Sequence, residues 1–298
     1  MTLQRRRFLA MSAATAAAGL GASLLSTQQA SAAIAPLSAP TQQFAVGVRQ
    51  YAWTRGSRKV TTYVYYPAAA GTPGGARVTN APVAKGVFPV CEFMHGFSSS
   101  PQKSLAVIQP LAAAGFIVPA PYFPNLNISD VYNGTQAKDI SELITRTLAL
   151  NSAANDPLAG HIDTGAGVGV SGHSMGGMTT LSLLTIAPDS RITAAIPMST
   201  VDMGTPSGTV HAKVLFMHGD KDTTCPISSA RTAYKKLPAP KAFLTFCGAS
   251  HTSYFGATRT HTTFVDWMRW SLYGDTAARN RLSTDATSSG TIWEAVLS

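Results

Sequence analysis

Val168-Gly169-Val170-Ser171-Gly172-His173-Ser174-Met175-Gly176-Gly177-Met178-Thr179 is the stretch on which the reading of the whole chain turns. A short apolar run ending at Ser171 reads as a strand, residues 172–176 as a Gly-rich turn, and residues 175–186 as a helix. The five turn residues spell G-x-S-x-G, whose mechanical use is a strained strand-to-helix corner that lifts a serine hydroxyl above the C-terminal edge of a sheet. Small residues must flank such a corner, and Ser171, Gly172, Gly176 and Gly177 are all small. The bare pattern is weak. Its position between a strand and a helix, in the middle of a β/α alternation, makes Ser174 the candidate nucleophile.

On both sides of this corner, short apolar runs alternate with helically spaced segments, the mark of a mostly parallel sheet covered by helices. Two β-branched and aromatic runs, 44–53 and 59–66, form a hairpin about Gly56-Ser57, followed by a Gly/Pro-rich loop over 67–82. Strands are then expected at 88–94, 116–120, 168–171, 194–197, 213–218 and 242–246, with helices near 103–114, 136–151, 175–186, 229–236 and 260–272. Eight strands fit. The Ser/Thr-rich residues 284–290 read as a surface connection to a short segment around Trp293.

The 298 residues, 45% apolar and 12% charged, suit one large globular core rather than a disordered chain. The first 32 are set apart. Arg5-Arg6-Arg7-Phe8-Leu9 precedes an uncharged Ala-rich stretch that ends at Ala30-Ser31-Ala32, the small-residue pattern of signal cleavage. This segment resembles a twin-arginine signal peptide, which implies export of an already folded protein and a catalytic domain over 33–298. It is only weakly hydrophobic for a membrane anchor, so none is expected after cleavage. Removing it lowers the formal charge from +9 to +6. The remaining Lys and Arg residues are scattered, so no nucleic-acid partner is expected. Three cysteines without a C-x-x-C pair or clustered histidines argue against a metal site.

A serine hydroxyl needs a histidine to take its proton and a carboxylate to orient that histidine. In a sheet of this type the chain order is serine, acid, histidine, with the histidine after the last strand. Gly248-Ala249-Ser250-His251 follows the strand at 242–246, making His251 the candidate base, with His261 as competitor. The strand at 213–218 runs into Gly219-Asp220-Lys221-Asp222. Asp222, deeper in the loop, is the preferred acid, with Asp220 read as a turn brace and Asp202 as the other alternative. A tetrahedral oxyanion requires two N–H donors. The Met175 amide is one, and the His95-Gly96-Phe97 loop supplies the other at Phe97; His95 and His173 read as packing residues of their turns.

At these residues the chain resembles the lidless branch of the α/β-hydrolases that includes bacterial cutinases and polyester hydrolases. It is also similar to chlorophyllase-like and dienelactone-hydrolase-like proteins. The likeness runs through His95-Gly96-Phe97, the 115–121 strand, Gly172 to Gly177, Ala194-Ala195-Ile196-Pro197, Gly219-x-x-Asp222-x-x-x-Pro226 and Gly248 to His251. It implies an α/β-hydrolase fold with Ser174, Asp222 and His251 as a catalytic triad, and a monomeric enzyme that cleaves carboxylic esters without a cofactor. Only 15 residues separate Pro197 from Lys213, too few for a helical cap, so an open site and bulky or polymeric esters are expected. Val201 and Thr224 stand where this branch usually carries Trp and Ile. Cys225 and Cys247 flank the acid and base loops, and either form a disulfide or remain two independent buried thiols. Two other activities fit the same residues: acyl transfer to an alcohol, and non-catalytic lipid or envelope binding.

Overall fold

The β-branched and aromatic runs that open the described chain pair across Gly56, whose φ of 57° only a residue tolerant of left-handed geometry adopts cheaply. They form β1 (Ala45–Arg55) and β2 (Arg58–Ala68), an antiparallel ladder with Trp53 opposite Val60. The computed structural model describes residues 37–125 and 127–298; the export segment expected at 1–32 lies outside them. A two-residue strand, β3 (Val78–Thr79), joins the outer edge of β1.

The parallel strands then arrive one by one, each followed by a helix or loop that crosses a face of the sheet. They are β4 (Val90–Met94), β5 (Val118–Tyr122), β6 (Val168–His173), β7 (Ile192–Met198), β8 (Lys213–Gly219) and β9 (Lys241–Phe246). β5 pairs antiparallel with β2 and reaches β4 through Ile117, whose backbone bonds to Pro89 and Cys91 join the two halves of the sheet. The spatial order is therefore β3-β1-β2-β5-β4-β6-β7-β8-β9, closed by an antiparallel β10 (Thr291–Val296). Eight of these strands are those expected; β3 and β10 add to the two edges.

Side chains alternate across the sheet, and both faces are apolar because both are covered. On one face Val64, Met94, Val170, Phe216 and Phe243 pack under α3 (Thr135–Ala149), α4 (Met175–Ser182) and α5 (Ile227–Lys236). On the other, Phe93, Val118, Ile196, Met217 and Leu244 meet α1 (Leu105–Ala113), α6 (Thr258–Met268) and α7 (Thr276–Ala286). Each such large side chain, taken from water, stabilises the fold by about 1.5–3 kcal/mol. This is the α/β-hydrolase architecture, with helices on both faces. Two helices were not expected: α7, and a short α2 (Ile128–Tyr132) after β5.

Register places the working edge. Met94 pairs with Gly172, Gly172 with Pro197, and Gly219 with Phe246, so the loops after β4, β6, β8 and β9 emerge side by side at the C-terminal ends of the strands. The connection from β7 to β8 carries no helix among the described residues, so no cap covers that edge.

Candidate active site

Ser174 sits at the corner between β6 and α4 with φ 57° and ψ −121°, outside the regions an L-residue favours. The strain, about 1–3 kcal/mol, is held by its neighbours. Ser174 N–H donates to the Met198 carbonyl at 3.0 Å, and its own carbonyl accepts from Met178 N–H at 2.8 Å. The flanking glycines are required by space: a Cβ on Gly176 would lie 2.0 Å from the Met94 carbonyl oxygen, and one on Gly172 only 2.5 Å from the Gly176 backbone. The corner can therefore press against β4 only while both positions lack a side chain.

The acid and base loops meet in the same way, since a Cβ on Gly219 would fall 2.2 Å from the Ala249 carbonyl oxygen. Across this close approach His251 Nδ1 donates to Asp222 Oδ2 at 2.7 Å. The other Asp222 oxygen accepts from the backbone N–H groups of Thr224 and Cys225, both at 2.9 Å. Burial works against the Asp222 charge, but the Cys225 N–H and His251 outweigh it and hold the carboxyl below the usual carboxylate range. The competing residues are engaged elsewhere. Asp220 accepts from Gly248 N–H at 2.7 Å and braces the two loops, Asp202 pairs with Lys236, and His261 bonds the Phe255 carbonyl.

A third histidine joins this group that the sequence did not single out. His218, wholly buried at the end of β8, donates from Nε2 to the Cys225 carbonyl at 2.8 Å and lies 3.3 Å from Asp222 Oδ2. Burial lowers its pKa below the ordinary histidine range. It fixes the turn whose N–H groups hold Asp222, a role with no local sequence signal because its partner lies across the loop.

Among the described residues, neither the Phe97 nor the Met175 backbone N–H donates a hydrogen bond. Both are available to an oxyanion. The loop carrying Phe97 is set by His95, which accepts from Phe123 N–H at 3.0 Å through Nε2 and donates from Nδ1 to the Gly96 carbonyl at 2.7 Å. Ser174 Oγ is not hydrogen-bonded to His251 and instead neighbours the Cys225 thiol. Serine–histidine contacts commonly tighten only when substrate is seated.

The family model described as PET hydrolase-like matches residues 28–292 of the chain. The chain belongs to the PET hydrolase-like family. Among curated relatives, a bis(hydroxyethyl) terephthalate hydrolase of Streptomyces coelicolor is 28% identical over 284 residues, 91% of this chain and 84% of its own length. Cutinase 1 of Thermobifida cellulosilytica is 27% identical over 209 residues, 57% of this chain and 79% of its own. A cutinase of Thermobifida fusca is likewise 27% identical over 209 residues, covering 57% and 68%. Membership of the family puts the chain among the carboxylic-ester hydrolases.

Within this PET hydrolase-like fold, Ser174 opens into a cleft of about 700 Å³ whose walls are mostly apolar. Met175, Met178 and Phe97 line it, as do Val201 and Thr224. α2 contributes to its wall through Ile128 and Tyr132. The disulfide considered for Cys225 and Cys247 is not formed: Cys91, Cys225 and Cys247 are all free thiols. Cys225 is buried and turned toward Ser174, and burial pushes its thiol up to about 11. Cys247 is exposed where β9 ends, its N–H bonded to the Gly290 carbonyl, so the two face different surroundings and only one is a buried thiol.

Proposed function

We propose that this protein is an exported serine esterase in which Ser174 forms the acyl-enzyme, His251 is the base, Asp222 orients it, and the Phe97 and Met175 N–H groups bind the oxyanion. His251 takes the Ser174 proton as Oγ attacks the ester carbonyl, and Asp222 stabilises the imidazolium through Nδ1–H. The tetrahedral intermediate collapses, the alcohol leaves with the proton held by His251, and a water activated by the same histidine frees the acid. Each oxyanion donor contributes on the order of 3 kcal/mol to the transition state. No cofactor enters this sequence. One observation carries the reading: a serine in strained backbone geometry, at the floor of an open apolar cleft, beside a 2.7 Å Asp222–His251 pair.

The substrate class proposed is carboxylic esters with bulky apolar parts, polyester or lipid esters among them. The uncapped edge and the cleft walls support it, as do the substrates in the names of the relatives. Export rests on the paired arginines and the Ala30-x-Ala32 pattern.

Hydrolysis of p-nitrophenyl acetate, butyrate and palmitate by the mature protein and by Ser174→Ala, each also treated with a fluorophosphonate probe, tests the assignment. Ser174→Ala is expected to lose at least about 10⁴-fold in kcat and all labelling. Equal turnover by both proteins would remove Ser174 from the nucleophile role.

A further inference from the structure

The base sits on a loop, and its side chain can be no better placed than the backbone that carries it. That backbone is held at one point from two directions. His173 Nε2 lies 2.9 Å from the His251 carbonyl oxygen, and Ser199 Oγ lies 3.0 Å from the same atom. A carbonyl only accepts, so both side chains are donors here. His173 immediately precedes the nucleophile on β6, and Ser199 immediately follows β7. The two contacts therefore tie the base to the nucleophile strand and to its neighbour.

We propose that His173 and Ser199 are positioning residues that clamp the His251 carbonyl and thereby set the approach of the imidazole to Ser174. The proposal rests on the Ser174–His251 assignment above.

Three features separate this clamp from ordinary loop packing. Ser199 is wholly buried and holds φ at 43°, a conformation a non-glycine residue adopts only where its surroundings impose it. Its N–H is bonded to the Met217 carbonyl at 2.9 Å, which keeps the backbone in that geometry with the side chain turned toward His251. Its hydroxyl is itself oriented, because Tyr254 OH lies 2.9 Å from Ser199 Oγ and 3.2 Å from the Met217 carbonyl. With one hydrogen on each hydroxyl, Ser199 donates to the His251 carbonyl, and the Tyr254 hydrogen is shared between the Met217 carbonyl and Ser199 Oγ. The buried Tyr254 ring stacks on Phe246 at 4.6 Å, so the orienting hydroxyl is fixed.

On the other side, the His173 ring is packed 4.4 Å from the His251 ring and 4.7 Å, edge-on, from Phe255. Burial, with the neighbouring His251 charge, lowers its pKa to about 3. It thus remains neutral with the hydrogen on Nε2, as the contact requires. A protonated His173 would set a second cation against the imidazolium that forms in the reaction.

The test is a set of donor deletions with donor-keeping controls, assayed on p-nitrophenyl butyrate: Ser199→Ala and His173→Phe against Ser199→Cys, which adds no β-branch at this positive φ, and His173→Gln. Loss of either donor is expected to lower kcat about tenfold with KM changed less than twofold, and to slow fluorophosphonate labelling by the same factor. The controls are expected to stay within about threefold of wild type. Donor-deleted proteins that melt above the assay temperature yet keep kcat within twofold would overturn the clamp, as would controls impaired as badly as the deletions. If a deletion fails to fold, Tyr254→Phe carries the test, since it keeps the ring stack and removes only the orienting hydroxyl. A fall in kcat of threefold or more at constant KM supports the clamp, and an unchanged kcat refutes it. Turnover surviving in His251→Ala would instead refute the assignment of the base.

Discussion

Three non-glycine residues at the working edge, Ser98, Ser174 and Ser199, hold positive φ of 51°, 57° and 43°. A positive φ costs each of them about 1–3 kcal/mol. All three lie in loops at the C-terminal ends of the parallel strands, where the cleft opens. The sheet below tolerates this cost because it is close-packed. It also holds one residue that works against it. Glu92, in the middle of β4, is wholly buried, and neither carboxyl oxygen has a hydrogen-bond partner among the described residues. Burial drives its carboxyl well above the usual range, against the pull of Arg191. A raised folded pKa means the stability contribution is fully present below the unfolded value near 4.3 and is lost as pH rises toward the folded one. Glu92→Met is therefore expected to stabilise the protein at pH 8 by about 1–3 kcal/mol, with a smaller gain at pH 4. Urea unfolding at the two pH values checks this, and a gain independent of pH would show that the carboxyl is not the cause.

At the scale of the element, α2 decides the shape of the cleft. Its five residues are started by Asn127, whose side chain accepts from Ser129 N–H at 2.9 Å. Ile128 and Tyr132 are left 48% and 53% exposed on the cleft wall, which Phe97, itself 67% exposed, also lines. Large apolar groups left this open beside Ser174 suit the apolar ester substrate proposed above. Replacing Ile128 and Tyr132 together by Ser is expected to lower kcat/KM for p-nitrophenyl palmitate at least about fivefold while leaving acetate within twofold. Equal losses on both esters would assign α2 to stability rather than to substrate. A helix this short has too few residues to show a 3.6-residue period, so it was not legible in the sequence. The parallel strands and α3 to α5 were, because each repeats a local pattern over several residues.

The whole molecule is bounded at one edge by β10, which lies antiparallel on β9, with Glu294 ion-paired to Arg231 of α5 and the Cys247 N–H bonded to the Gly290 carbonyl. Without it β9, the strand that leads into the His251 loop, would present an open row of N–H and C=O groups. Truncation after Ala286 is accordingly expected to lower the melting temperature by several degrees and to cause aggregation that light scattering detects; a soluble truncated protein with unchanged melting would deny β10 this role. Nothing in residues 291–296 announces such a strand, since most of its side chains are exposed and show no alternation of apolar and polar character. The sequence by itself determined the alternation of strands and helices, the corner at Gly172 to Gly176 and the order of candidate residues along the chain. Those features are local: they depend on residue size, backbone freedom and the period of apolar side chains. Only the tertiary structure decided that His218 braces the Asp222 turn, that His173 and Ser199 converge on one carbonyl, that Cys225 faces Ser174 rather than Cys247, and that α2 walls the cleft. Apart from the His218–Cys225 bond, which spans 7 residues of one turn, each is a contact between segments distant in sequence, set by strand register and by which glycines let two loops touch.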